Sequence, residues 1–149
     1  MRFITDYFRI TYQLVRKLYP LPIIVDTIHH LEGFQYVTEF YLNMGYHTIR
    51  ISQASQDITK IVTEISKFRY NRLPMGMRAS GYIFQAKSDE IIGDIEGVKT
   101  YINDIFNLRK DCFRNHVEQM RMIFVRLCAA GLKVDVSKCI FGIKDIPYL

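Results

Sequence analysis

Long apolar runs are missing from this 149-residue chain: nothing in it approaches the roughly 18 consecutive apolar residues that cross a bilayer. The first ten residues carry Asp6 and Arg9 where a secretory signal would need its apolar core. The expectation is an intracellular protein, cytoplasmic or nuclear, neither secreted nor membrane-bound. Cysteine is scarce and odd in number, at three. Cys112 and Cys128 fall far apart on one predicted helix and cannot bridge. No Cys or His spacing matches a zinc site, and the adjacent His29 and His30 would diverge on a helix. There is no Gly/Ser-rich or Pro-rich linker, no repeat and no low-complexity run to divide the chain, so a single domain is expected.

What is present is ordinary for a folded domain. Hydrophobic residues make up 49% and charged residues 23%, enough apolar surface for a real core. The net charge is +5 and the pI about 9.1, compatible with a polyanionic partner. The cations are spread along the chain, so charge alone does not single out nucleic acid.

Pattern reading gives a coarse order of elements. Residues 2–7 read as a strand, and "YPLP" (19–22) is extended because each proline pushes its predecessor out of the helical region. Pro22 suits the first turn of a helix with Ile23, Ile24, Thr27, Ile28 and Leu31 on one face, stopped by Gly33. In "FQYVTEF", Phe34, Tyr36, Thr38 and Phe40 alternate to one side, as in a strand. Residues 47–52 and 58–65 alternate similarly, with a turn at Ser66-Lys67. Residues 80–92 read as a helix with a buried stripe of Ile83, Phe84, Ala86-Lys87 and Ile91, and 94–97 as loop. "GVKTYINDIFNL" reads as a hairpin turning at Asn103-Asp104. A strong helix follows, with Phe113, Val117, Met120, Phe124 and Leu127 at three- and four-residue steps until Gly131. "LKVDV" and "CIFGIKDIPYL" supply the last strands. The fold class is α+β, a mostly antiparallel sheet covered by helices.

Six blocks in order then carry a resemblance. "RFITDY" (2–7), "YPLP" (19–22), "LEGFQYVTEFYLNMGYHTIRI" (31–51), "RLPMGMRASGYIFQ" (72–85), "YINDI" (101–105) and "AGLKVDVSKCIFG" (130–142) resemble the reverse transcriptase domain of gypsy-class long-terminal-repeat retrotransposons and retroviral Pol polyproteins. Each block is weak alone; six in the right order and spacing are specific. The resemblance implies a polymerase palm (about 23–51 and 74–149) with part of the fingers (about 1–22 and 52–73). Blocks matching the thumb, ribonuclease H and integrase parts of a Pol polyprotein are absent from these residues. It implies an RNA-directed DNA polymerase whose partners are an RNA or DNA template-primer and deoxynucleotides, with Mg²⁺ as cofactor. In the family one aspartate ends a strand and two sit side by side in a hairpin. Together they hold two Mg²⁺ ions about 3.5–4 Å apart for nucleotidyl transfer.

The chain departs from that pattern at the metal ligands. The strand-end position is Tyr41, and the hairpin reads Tyr101-Ile102-Asn103-Asp104, so Asn103 stands at the first aspartate of the pair. Asp104 alone keeps a metal-binding carboxylate. Glu39 shares the strand face of Tyr41 but has the wrong backbone position to replace an aspartate there. Losing one anionic ligand costs several kcal/mol at the transition state, and each ~1.4 kcal/mol is tenfold in rate. With two lost, the expected polymerase activity is undetectable.

Other positions carry over by the same resemblance. Arg2 matches the fingers arginine that grips the triphosphate, and Tyr46 the aromatic gate against a ribose 2′-hydroxyl. Met75 and Gly76 match the turn beside the incoming nucleotide. Gly81 replaces the family's usual proline, and Phe8 an arginine.

Overall fold

The computed structural model describes residues 5–11, 19–20 and 33–143. The expected helix after Pro22, the His29-His30 pair, Arg2 and the final "PYL" lie outside the described residues. Among those described, the expected strand over 2–7 is not found: residues 5–7 have no regular structure and a short helix α1 (Phe8–Thr11) follows. The carboxylate of Asp6 accepts a hydrogen bond from the Phe8 N–H at 2.8 Å, which starts a helical turn rather than a strand.

The centre of the fold is β1 (Tyr36–Asn43). Its eight residues are rich in aromatic and β-branched side chains, which favour a half-buried pleated surface. One edge pairs with β5 (Asp104–Arg109), from Tyr36 opposite Arg109 to Tyr41 opposite Asp104, and β5 pairs in turn with β4 (Val98–Tyr101). The other edge is shared: β6 (Lys133–Val134) pairs at Leu42 and Asn43, and β7 (Ile140–Ile143) at Val37 and Glu39. Every pairing is antiparallel, as expected. A separate two-stranded hairpin joins β2 (Ile61–Val62) to β3 (Lys67–Phe68).

Two helices cover one face of the sheet: α3 (Arg78–Ile92) and α4 (Phe113–Ala129). Phe40 and Leu42 of β1 and Ile105 of β5 meet Phe84, Ile92, Ile123 and Leu127 there. Each such side chain contributes about 1.5–3 kcal/mol when fully buried. The opposite face is apolar only at one end, where Val37 and Leu108 pack with Phe34, Phe106 and Ile143. Its other end, bearing Tyr41 and Asp104, is left for polar groups.

The helices were placed correctly by periodicity, but their buried stripes differ from expectation. On α3 the buried residues are Ser80, Phe84, Gln85, Ser88 and Ile92, while Ile83 is 42% exposed. On α4 they are His116, Gln119, Ile123 and Leu127, with Phe113 and Phe124 exposed. The physical reason is that the polar members other than Ser88, whose hydroxyl has no hydrogen-bond partner among the described residues, find partners inside. His116 Nε2 is 2.7 Å from Thr38 Oγ1, and Gln119 donates to the Glu96 carbonyl. A buried polar group with a partner costs little, so hydrophobicity alone misplaced both stripes.

Two expected strands are also corrected. Residues 45–48 form a 3₁₀ turn (Gly45–Thr48), entered through Met44 at φ 52 and closed by Thr48 Oγ1 donating to the Gly45 carbonyl at 2.6 Å. Between 52 and 65, Ser52 caps α2 (Gln53–Ile58), its hydroxyl accepting from the Ser55 N–H at 3.3 Å. Only Ile61–Val62 remains as strand, because Thr63 folds the chain back with Oγ1 donating to the Ser66 carbonyl at 2.9 Å.

Candidate active site

Strand pairing puts Tyr41 directly across from Asp104, and Tyr101 across from Asp104 on the other side. The two-residue loop between β4 and β5 is therefore Ile102-Asn103, one residue earlier than the Asn103-Asp104 turn expected from sequence. Asp104 already belongs to β5. Ile102 adopts φ 53, an outlier for a β-branched residue, of the sort that costs about 1–3 kcal/mol unless its surroundings impose it.

The surroundings do impose it. Gln85, fully buried on α3, accepts from the Ile102 N–H at 2.7 Å. Its amide donates to the Thr100 carbonyl at 3.1 Å, to Thr100 Oγ1 at 2.7 Å and to Asp89 at 3.1 Å. On the far side of the loop, the Asn103 carbonyl accepts from the Leu42 N–H at 2.8 Å. These hydrogen bonds fasten the hairpin to a helix and to β1.

The electrostatics of this end of the sheet are unfavourable to charge. Burial raises the pKa of Asp104 above its ordinary value, and no cation among the described residues offsets it. Glu39 is raised too, first by burial and then by repulsion from Asp104, so the two carboxylates sense one another. Asn103 Oδ1 is enclosed without a hydrogen-bond partner. Over the Tyr41 ring sits the Lys138 ammonium, 4.3 Å from the centroid, a cation–π contact.

This donor set does not fit a pair of magnesium ions. Mg²⁺ demands hard, anionic oxygen ligands in near-octahedral array. Here the hairpin offers one carboxylate and one neutral amide oxygen, and the facing strand position offers a phenol ring already covered by an ammonium. Glu39 lies opposite Phe106, a pleat removed from the Tyr41–Asp104 pair. Among the described residues no cluster of three or more His, Cys, Asp or Glu is arranged to hold a metal.

The positions expected to touch a nucleotide are partly gathered here. Tyr46 stacks on Phe84 with ring centroids 4.8 Å apart, and burial, then Tyr41 and Tyr101, raise its pKa. It therefore bridges the core and the open face. Half-buried Met75 and exposed Gly76 form a turn ahead of α3, with Gly76 at φ 93, a conformation that favours glycine. Ser80 Oγ donates to the Pro74 carbonyl at 2.7 Å and holds that turn against the helix. Arg2 lies outside the described residues.

The profile described as "Reverse transcriptase (RNA-dependent DNA polymerase)" matches residues 2–149. The chain belongs to this family. It is 28% identical over 150 residues to the retrovirus-related Pol polyprotein from transposon opus of Drosophila melanogaster, covering 99% of this chain and 15% of the relative. The Pol polyprotein from transposon gypsy of the same organism is 24% identical over 150 residues, covering 99% of this chain and 14% of the relative. The chain therefore spans about a seventh of the length of these curated relatives. Among solved structures, native prototype foamy virus protease–reverse transcriptase superposes with a TM-score of 0.89 at 24% identity, covering 99% of this chain and 20% of that one. A foamy viral protease–reverse transcriptase in complex with an RNA/DNA hybrid gives 0.68 at 26% identity, covering 72% of this chain and 14% of that one. The ordered-block resemblance and the α+β palm both hold.

Within this reverse transcriptase fold, two residues of the site were not singled out from sequence. Gln85 closes the block over 72–85, and its one signal is a polar residue directly after the buried Phe84. Lys138 carried no signal, because its contact with Tyr41 arises from a 3₁₀ turn (Val136–Lys138) that brings it over β1.

Proposed function

We propose that this chain is the reverse transcriptase part of a retrotransposon Pol polyprotein whose polymerase scaffold persists without nucleotidyl transfer. The observation that carries this reading is Tyr41 facing Asp104 across β1 and β5, with Lys138 over the tyrosine ring. Tyr41 and Asp104 sit where the family pattern calls for ligands to magnesium, and the Lys138 ammonium and the phenol ring oppose divalent cations by charge and by bulk. No magnesium-dependent step is assigned to this chain. In this reading about 1–22 and 52–73 belong to the fingers and about 23–51 with 74–149 to the palm, in an intracellular setting.

In this reading the retained function is contact with an RNA or DNA template-primer. The net charge of +5 and the foamy viral relative solved with an RNA/DNA hybrid support it. Deoxynucleotides would meet Tyr46, Met75, Gly76 and Arg2 only transiently, without metal to fix the triphosphate. The alternative is a non-catalytic relic with no selected function that binds nucleic acid or a polyprotein partner, and salt dependence separates the polyprotein-binding form. Phosphate-driven binding to an RNA–DNA hybrid weakens steeply as salt rises, and an affinity indifferent to salt removes the template-primer reading.

Primer extension on a poly(rA) template with Mg²⁺ or Mn²⁺ tests the loss of catalysis. The unmodified chain is expected to give no product, alongside the Tyr41→Asp/Asn103→Asp variant. Clear extension by the unmodified chain overturns the proposal.

A further inference from the structure

We propose that a cleft between α3 and the chain leaving β1 binds a small amphipathic acid. The ligand class has an apolar body, a hydrogen-bonding group at its buried end and a carboxylate at its outer end. The cleft is independent of the Tyr41–Asp104 pair and stands whether or not that pair is catalytic. It measures about 300 Å³, the small end of the usual range for small-molecule sites.

Helical spacing builds the first wall. Phe84, Ser88 and Ile91 recur at steps of four and three, so they share one face of α3 and line the cleft together. The second wall is residues 48–50. It is fixed by Thr48 Oγ1 donating to the Gly45 carbonyl, and by the Ile49 carbonyl accepting from the Leu73 N–H at 2.9 Å. The third is the turn after α4, where the Leu132 N–H donates to the Leu127 carbonyl at 2.9 Å. Phe84 and Leu132 belong to the buried core, and half-buried Ile49 and Ile91 pack against it, so the middle of the cleft is apolar.

Two polar groups interrupt that lining. Ser88 is 2% exposed, and its hydroxyl has no hydrogen-bond partner among the described residues. A helical serine commonly turns its hydroxyl back to the carbonyl four residues earlier, which is Phe84 here, and this one does not. Leaving a buried hydroxyl unpaired costs stability that a bound partner atom recovers. Arg50 is exposed at the rim, and its guanidinium forms no ion pair or hydrogen bond among the described residues. Lys87, the other cation of the lining, is already paired with Glu90, and no aspartate or glutamate among the described residues lines the cleft. A ligand that answers these features is polar at the floor, apolar through the middle and anionic at the mouth. The competing explanation is that Ser88 serves by its small volume, letting α3 sit close to Leu132. That role needs no hydroxyl, so alanine would serve equally.

The test titrates the full chain with para-hydroxyphenylpropionate, and with phenylpropionate, which lacks the phenol hydroxyl, following amide NMR shifts and calorimetry. Saturable binding is expected, with the largest shifts at Ile49, Ser88 and Leu132. Loss of the phenol hydroxyl should weaken binding about threefold to tenfold, the worth of one neutral hydrogen bond. Ser88→Ala should weaken the hydroxylated acid by a similar factor and leave phenylpropionate unchanged, a cycle that a packing role would not produce. Arg50→Gln, a change at an exposed side chain, should weaken both acids about twofold to fivefold, the worth of an exposed ion pair. Melting temperatures check that each variant folds. Lys67→Ala on β3, outside the lining, should change neither affinity. Absence of saturable binding, a phenol preference that survives Ser88→Ala, or binding indifferent to Arg50→Gln overturns the proposal.

Discussion

Magnesium should leave the stability of this chain untouched, and the expected number follows from linkage. A ligand that binds only the folded state adds RT ln(1 + [L]/Kd), so at about 10 mM Mg²⁺ a site with Kd near 0.1 mM gains ~2.7 kcal/mol. For a domain of this length each kcal/mol moves the melting temperature by about 2–4 °C, giving a rise of roughly 5–11 °C. The present carboxylates, Asp104 and Glu39, lie a pleat apart and already resist ionisation. If such a pair binds Mg²⁺ with Kd of about 100 mM, the gain is under ~0.1 kcal/mol and the shift falls below about 0.5 °C. Calorimetry or circular dichroism, with and without magnesium and with calcium as a control, reads both cases. Tyr41→Asp/Asn103→Asp restores two anionic donors at the hairpin and its facing strand, and it should acquire the larger shift. A rise of several degrees in the unmodified chain would refute the reasoning.

Further outcomes follow from the same geometry. Gln85→Leu removes the acceptor of the part-buried Ile102 N–H and the donor to Thr100 and Asp89, and should cost about 2–4 kcal/mol in urea unfolding. No loss of stability would show that the hairpin is held by something else. Because the pKa values of Asp104 and Glu39 are raised on folding, the stability they contribute is greatest below the ordinary carboxylate range and falls as pH rises through the raised values. Asp104→Asn should therefore stabilise the chain at neutral pH and lose that advantage in acid, as melting curves across pH would show. Gly45→Ala drives a methyl group into the Phe84 ring, which stacks on Tyr46, and should destabilise by about 1–3 kcal/mol. An unchanged melting temperature would mean that the ring moves aside freely.

Elements with a strong period were legible from the residues alone. The α3 and α4 helices and the alternation of Tyr36, Thr38 and Phe40 fell where pattern put them, but Phe34 lies before β1 and packs with Val37 and Leu108 on the other face. What pattern missed was polar burial: His116, Gln119, Gln85 and Ser80 point inward because the sheet or a loop supplies partners. Composition cannot reveal a partner 78 residues away, as Thr38 is to His116. The same cause shifted the hairpin. Asparagine and aspartate both tolerate a left-handed turn, so Asn103-Asp104 looked better suited than Ile102. Gln85 and the pairing of Tyr101 with Asp104 override that local preference. The Tyr41 and Asn103 positions are proposed as replaced ligands from the ordered blocks, whereas Lys138 over Tyr41 emerges only from the fold.

The most direct measurement is anomalous diffraction from crystals of the unmodified chain soaked with Mn²⁺ and a deoxynucleoside triphosphate. The account predicts no pair of ions beside Asp104, with the Lys138 ammonium still resting on the Tyr41 ring. Two ordered cations bridged by Asp104 would contradict it.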